Sequence, residues 1–181
     1  MGFLLFSSGA VALPTHAMAP KAPASPSHVV TLTAYNAVPE QTDNDPLVTA
    51  SGAYSNPEIV AARSRDLADT LPFGTIIEIV GPSTSQNNCG YDIVEHIVGY
   101  RVIADSMNSR YTDRIDILFG TESNYTLADG SVKNAGQVLG ICTDASVRVV
   151  GHIDLTRPGS MPKTQVELAR RVAGNGSIAL K

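Results

Sequence analysis

Two apolar runs between residues 100 and 120 each carry a carboxylate, and this feature constrains the fold more than any other. Asp105 directly follows the run at residues 102–104, and Asp116 lies within the run at residues 115–119. Runs rich in β-branched residues predict buried strands, so both carboxylates would be held against a core. A buried, unpaired carboxylate is costly and is therefore usually paired, partly protonated or functional. Asp116, which has isoleucine on both sides, is the first catalytic candidate.

Similar short runs, separated by turn residues, recur along the chain and predict an all-β core in the form of a small barrel or sandwich. We predict strands in residues 29–35, 47–52, 76–80 and 146–153, and a long loop over 36–46; residues 59–62 form a further short apolar run. Residues 91–104 are predicted to form a hairpin or one long bent strand that breaks at Gly99, with His96 as an ordinary strand residue. Helical periodicity occurs in residues 164–173, with Gly174 as the C-cap.

The N-terminal segment predicts export. Residues 2–13 form an apolar stretch too short to cross a bilayer, and small residues follow at 17–19. This pattern is typical of a signal peptide over residues 1–19, although no Lys or Arg precedes it; a disordered apolar tail is the alternative. We expect a Pro-rich linker over 20–28, a barrel domain over 29–156 and a tail with a short helix over 157–181. The mature chain would be periplasmic or secreted, without a membrane span.

Export also bears on the two cysteines. An oxidising compartment would allow Cys89 and Cys142, 53 residues apart, to form a disulfide. Such a bridge would stabilise the fold by roughly 3 to 4 kcal/mol through chain entropy. Two separate buried thiols are the alternative. Neither cysteine has a histidine at metal-ligand spacing, and His152 with Asp154 provides too few ligands, so no metal site is predicted.

Charge and motifs exclude several function classes. The net charge is -4 and no cluster of Lys and Arg occurs, which argues against a nucleic-acid partner. The sequence contains no Gly-rich phosphate loop, no G-x-S-x-G elbow and no C-x-x-C pair, so we predict no cofactor. We expect a monomer.

The order of five short motifs resembles the 3D domain, a family named for its aspartates. The motifs are TAY at 33–35, VTASG at 48–52, LPFGT at 71–75, ADSMN at 104–108 and RIDIL at 114–118. The resemblance covers roughly residues 29–150. It implies a six-stranded double-psi β-barrel, similar to the catalytic domain of lytic transglycosylase A and to expansins, and a peptidoglycan-cleaving or glycan-binding role.

The resemblance also implies roles for particular residues. The acid/base aspartate of the transglycosylase relatives matches Asp116, and the aspartate of the A-x-D motif matches Asp105. The first family aspartate, which normally precedes the L-P-x-G-T turn, is absent from its usual place. Asp66 or Asp69 is the candidate to replace it, and we therefore include Asp66 among the predicted substrate-binding residues.

The residue chemistry agrees with glycan cleavage. The reaction requires a carboxylic acid that is partly protonated near neutral pH, and burial among isoleucines would raise the pKa of Asp116. A lytic transglycosylase uses one such group twice, first as an acid and then as a base, and forms a 1,6-anhydro ring. Asp105 would orient the substrate or raise the pKa of Asp116 by repulsion. Tyr35, Thr49 and Ser51 are predicted to bind the sugar.

Other interpretations remain open at this point. Asp116 is alternatively a structural aspartate paired with Arg101, Arg110 or Arg114, and Asp105 a residue that caps a turn. Our leading hypothesis is an exported enzyme of the lytic transglycosylase type that acts on peptidoglycan glycan strands. The alternatives are a non-catalytic, expansin-like wall-binding module and a secreted effector that binds a protein partner in the barrel groove.

Overall fold

A computed structural model describes residues 27–42 and 45–178. The strands are β1 Ser27–Asn36, β2 Val60–Arg63, β3 Thr75–Val80, β4 Tyr100–Ser106, β5 Arg114–Phe119, β6 Asn124–Thr126, β7 Val132–Asn134 and β8 Cys142–His152. The helices are α1 Tyr91–Val98, α2 Ala135–Leu139 and α3 Gln165–Ile178, and a short 3-10 turn covers Arg65–Leu67. The predicted signal peptide lies outside the described residues, as does the linker up to residue 26. Strand β1 begins two residues before the predicted barrel domain.

Six strands form a closed barrel in the order β1-β5-β2-β4-β3-β8. The pairs β1–β5 and β2–β4 are parallel and the other four are antiparallel. The strand order is pseudo-symmetric: if β1 is exchanged with β4, β2 with β5 and β3 with β8, every strand keeps the same kind of neighbours and the same relative directions. The predicted fold class, an all-β six-stranded barrel with a short C-terminal helix, is confirmed.

Apolar side chains form two layers because successive residues of a strand point to opposite faces. The inner layer draws on all six barrel strands and includes Leu32, Ala61, Ile77, Ile103, Ile117 and Val147, together with Val94 of α1 and Leu139 of α2. The outer layer includes Val60, Ala62, Val102, Ala104 and Leu118, with Leu168 of α3 packed against them. The wall formed by β5, β2 and β4 is therefore apolar on both faces, and a polar side chain in it needs a local explanation.

The prediction of a hairpin or strand over residues 91–98 is wrong, because this segment forms helix α1. Its buried residues Tyr91, Val94 and Val98 follow the spacing i, i+3, i+7 of a helix face. The Tyr91 hydroxyl donates to the Ile79 carbonyl oxygen at 3.0 Å and ties the helix to β3. His96 accordingly lies in a helix rather than in a strand.

Two other boundaries differ from the prediction. Residues 47–52 form turns with a single bridge between Val48 and Tyr54, so the predicted strand is absent there. Helix α3 continues through Gly174, which is therefore not its C-cap, and Gln165 accepts from the Tyr100 N–H and thereby anchors the helix to the barrel. No helix within residues 27–42 and 45–178 is long and apolar enough to cross a membrane.

The predicted disulfide is confirmed: Cys89 and Cys142 are bonded, with an S–S distance of 1.97 Å. The bridge joins the segment that precedes α1 to the first residue of β8. By constraining the unfolded chain across 53 residues, it stabilises the fold by roughly 3 to 4 kcal/mol.

Candidate functional site

Strand register aligns both candidate aspartates in one row across four strands. Thr33 on β1 pairs with Asp116 on β5, Asp116 pairs with Ala62 on β2, and Ala62 pairs with Asp105 on β4. Directly paired residues point to the same face of a sheet. We call these four residues the carboxylate row. One strand separates the two aspartates, so their α-carbons are about 10 Å apart.

An irregularity in the β2–β4 pairing brings Asp105 into the row. Ala61 pairs with Ile103, but the next residue, Ala62, pairs with Asp105, so Ala104 is skipped. Such a bulge re-aims the side chains that follow it. Without the bulge, Ala104 would face Ala62 and Asp105 would point to the inner layer.

The carboxylate row opens into a cavity of about 670 Å³. Ala62 leaves space between the two carboxylates because its side chain is a single methyl group, and Tyr35 lines the same cavity. Residues within 40–42, 48–55 and 106–111, together with Arg65, form its walls. This volume is within the range typical of small-molecule sites.

Asp105 is fixed by three hydrogen bonds. Its Oδ2 accepts from the Tyr35 hydroxyl at 2.9 Å, and its Oδ1 accepts from the N–H groups of Ala50 at 2.9 Å and Ser106 at 2.8 Å. Burial and the neighbouring Asp105 charge raise the pKa of Tyr35, so its hydroxyl keeps its proton and remains a donor. The Asp105 carboxylate is thus positioned from three directions.

Asp116 accepts fewer hydrogen bonds than Asp105. It accepts one hydrogen bond, from the Thr33 hydroxyl at 2.7 Å. Burial raises the pKa of Asp116 to about 6, and the charge of Asp105 adds to this rise, while the Thr33 hydrogen bond and the Arg114 charge oppose it. A carboxyl group with this pKa is partly protonated near neutral pH and can act as a general acid and as a general base.

The structure does not pair Asp116 with an arginine. Among the described residues the ion pair is between Arg148 and Glu78, and Arg101, Arg110 and Arg114 form none with Asp116. Arg114 acts on Asp116 only through its charge. The structural alternative for Asp116 is therefore not supported by its contacts.

Three predicted substrate-binding residues do not line the cavity. Thr49 is buried, and its hydroxyl lies 3.0 Å from that of Ser51 and donates to the Ala53 carbonyl oxygen at 3.0 Å. These contacts shape the turn whose middle residue, Ala50, donates its N–H to Asp105. Thr49 and Ser51 thus support the site instead of facing a ligand.

Asp66 lies outside the cavity as well. Its Oδ2 accepts from the Asp113 N–H at 2.9 Å, and the Ser64 hydroxyl together with this bond lowers the pKa of Asp66. Asp69 does not line the cavity either. Neither residue replaces the aspartate that the family pattern would place in the groove.

Sequence reasoning missed several residues of the site. Thr33 could have been found from its two-residue offset from Tyr35, which puts both on one face of β1. Arg65, Arg110 and Tyr111 line the cavity from turns, and no periodic pattern of the sequence marks them.

Within the described part of the chain, no group of three or more His, Cys, Asp or Glu residues could hold a metal ion. No protein-family model matches this chain, and no curated protein matches it.

Proposed function

We propose that this protein is an exported, glycan-cleaving enzyme of the lytic transglycosylase type that acts on peptidoglycan and is related to the 3D domain. The observation that carries the proposal is the carboxylate row. Asp116, with a pKa of about 6, lies in an open cavity beside Asp105, which three donors hold in place. Two carboxyl groups in such different environments are characteristic of sites that transfer protons.

The first step uses Asp116 as an acid. Its proton passes to the glycosidic oxygen as the bond between that oxygen and the anomeric carbon breaks, and the leaving chain departs as an alcohol. Positive charge develops on the sugar ring, and the fixed negative charge of Asp105 stabilises it.

The second step uses the same residue as a base. The Asp116 carboxylate takes the proton of the sugar's 6-hydroxyl while O6 bonds to the anomeric carbon and closes the 1,6-anhydro ring. The carboxyl group regains its proton and no water is consumed. The hydrogen bonds already made by Asp105 favour this single-residue scheme, because they leave Asp105 little freedom to activate water as an inverting hydrolase would require.

The disulfide supports the export part of the proposal. Disulfides persist in oxidising compartments and are rare in reducing ones. The bond between Cys89 and Cys142 is therefore consistent with a periplasmic or secreted protein that meets the cell wall.

Digestion of purified peptidoglycan, with mass spectrometry of the soluble products, tests the proposal. The parent protein and the control Asp92→Asn, which changes an exposed aspartate of α1, should both release anhydro-muropeptides. Asp116→Asn should release at least about 100-fold less, as expected for loss of a general acid/base. Equal release by Asp116→Asn would contradict the role of Asp116. Wall binding without product from any protein would instead indicate a non-catalytic binding module.

A further inference from the structure

The cavity beside the carboxylate row also contains two arginines without carboxylate partners. Arg65 and Arg110 both line the cavity and both are exposed. Neither forms an ion pair with any residue that the structure describes. Their charge is therefore available to a ligand.

Tyr111 holds Arg110 in a defined position. The Arg110 Nη2 donates to the Tyr111 hydroxyl at 2.8 Å, and the guanidinium carbon lies 4.8 Å from the centroid of the same ring. A planar guanidinium that is already stacked loses less freedom when it binds a ligand. Arg110 retains its other N–H donors for that purpose.

A hydrogen bond joins the two turns that carry these arginines. Arg65 begins the 3-10 turn that follows β2, and Arg110 lies in the turn that precedes β5. Asp66, next to Arg65, accepts from the N–H of Asp113 at 2.9 Å. This contact fixes one turn relative to the other at the end of the barrel where β2 ends and β5 begins.

The unpaired guanidinium groups of Arg65 and Arg110, and not the net charge of the lining, favour an anionic ligand group beside them. The lining contains the carboxyl groups of Glu40, Asp105 and Asp116, but none of them pairs with Arg65 or Arg110. Asp105 is held by its three donors, and Asp116 must be protonated to start the proposed reaction. A neutral sugar would leave both guanidinium groups without a charged partner, whereas a carboxylate matches their planar donor geometry.

We infer that Arg65 and Arg110 bind a carboxylate of the saccharide, so that the site selects an anionic glycan over a neutral one. The inference rests on the proposed function, because it takes the ligand of the cavity to be a glycan. It assigns the two arginines a role in substrate specificity, separate from the proton transfer by Asp116.

Affinity for two forms of one glycan tests this inference. The probes are peptide-free peptidoglycan strands with free lactyl carboxylates and the same strands after conversion of those carboxylates to methyl amides. Binding is measured by isothermal titration with Asp116→Asn, so that no turnover occurs. We expect Asp116→Asn to bind the charged strands about tenfold more tightly than the amidated strands, which corresponds to about 1.4 kcal/mol of binding free energy. This preference should weaken at high salt.

Further substitutions, added to Asp116→Asn, separate specificity from folding. Arg65→Gln with Arg110→Gln should remove the preference, because it should weaken binding of the charged strands much more than binding of the amidated strands. Arg170→Gln with Arg171→Gln, which removes two exposed charges from α3, should keep the preference. The inference would be overturned if Asp116→Asn with both arginines intact bound the charged and amidated strands equally. It would also be overturned if the arginine substitutions reduced the affinity for both kinds of strand by the same factor.

Cleavage by the parent protein, measured in parallel, distinguishes this inference from the proposed function. A preference for charged strands without cleavage would support the arginine site and contradict the enzyme. Cleavage of both strands at the same rate would support the enzyme and contradict the arginine site. Absence of both binding and cleavage would overturn the two together.

Discussion

Two charged sites lie on opposite faces of the same barrel wall, and they differ in how completely their hydrogen-bonding capacity is used. On the inner face, Arg101 of β4 has no exposed surface. It donates to the carbonyl oxygens of Val98 at 2.6 Å, Ile97 at 2.7 Å, Pro57 at 2.7 Å and Leu118 at 3.1 Å. Its guanidinium also lies 5.6 Å from the centroid of the Phe119 ring.

On the outer face, Asp116 accepts a single hydrogen bond and opens into a cavity. Arg101 therefore joins α1 and β5 to the segment that precedes β2, whereas Asp116 retains capacity for a proton or a ligand. A buried charge whose partners are all main-chain groups stabilises the fold, and one with unused capacity beside a cavity is suited to chemistry. The following substitutions test this contrast.

The largest effect is expected at the inner site. Arg101→Met should lower the free energy of unfolding by at least about 3 kcal/mol, because several buried carbonyl groups lose their donor. Chemical denaturation of the variant measures the loss. Arg170→Met, on the exposed side of α3, is the control and should change stability by no more than about 0.5 kcal/mol. Equal stability of the two variants would show that the Arg101 contacts contribute little.

At the outer site, substitution of the charged residue should raise the free energy of unfolding instead of lowering it. Folding raises the pKa of Asp116 to about 6, so protonation of Asp116 favours the folded state. This contribution to the free energy of unfolding is fully present below about pH 4 and is lost as the pH rises through about 6. Asp116→Asn removes this dependence and should be more stable than the parent at pH 7 by up to about 3 kcal/mol. Denaturation at pH 4 and pH 7 measures the difference, which should be close to zero at pH 4. Destabilisation of the variant at pH 7 would indicate a paired, structural carboxylate.

A smaller loss of stability is expected at Tyr35, which donates to Asp105 of the carboxylate row. Tyr35→Phe removes one of the three donors to Asp105 while keeping the buried ring, and should cost about 1 kcal/mol. The matched control is Tyr54→Phe, which should hardly change the free energy of unfolding because Tyr54 is 64% exposed. If urea unfolding gives the same midpoint for both variants, the Tyr35 bond does not help to fix Asp105.

The sequence predicts the barrel well where strands are β-branched and bounded by turn residues, as for β3 and β8. It fails for α1, because Ile93, Val94, Ile97 and Val98 have strong β propensity and Gly99 resembles a strand break. The helix forms because Tyr91, Val94 and Val98 bury one face against the barrel. Tertiary packing therefore overrides local preference in this segment.

The candidate site was predictable only in part. Asp105 and Asp116 are conspicuous because each is a charge beside an apolar run, and the register places both in one row. That Asp105 joins the row depends on the bulge in the β2–β4 pairing, which the sequence does not mark. The positions of Thr49 and Ser51 depend on a turn that was predicted as a strand.

Titration of the Asp116 side-chain carboxyl carbon by 13C NMR, assigned with Asp116→Asn, tests the central claim most directly. Burial and the nearby Asp105 charge should give a midpoint of about 6 in the parent protein. The midpoint should fall in Asp105→Asn, because the repulsion that favours the protonated form is removed. A parent midpoint at or below about 4, the ordinary value for aspartate, would contradict the assignment of Asp116 as the acid and base.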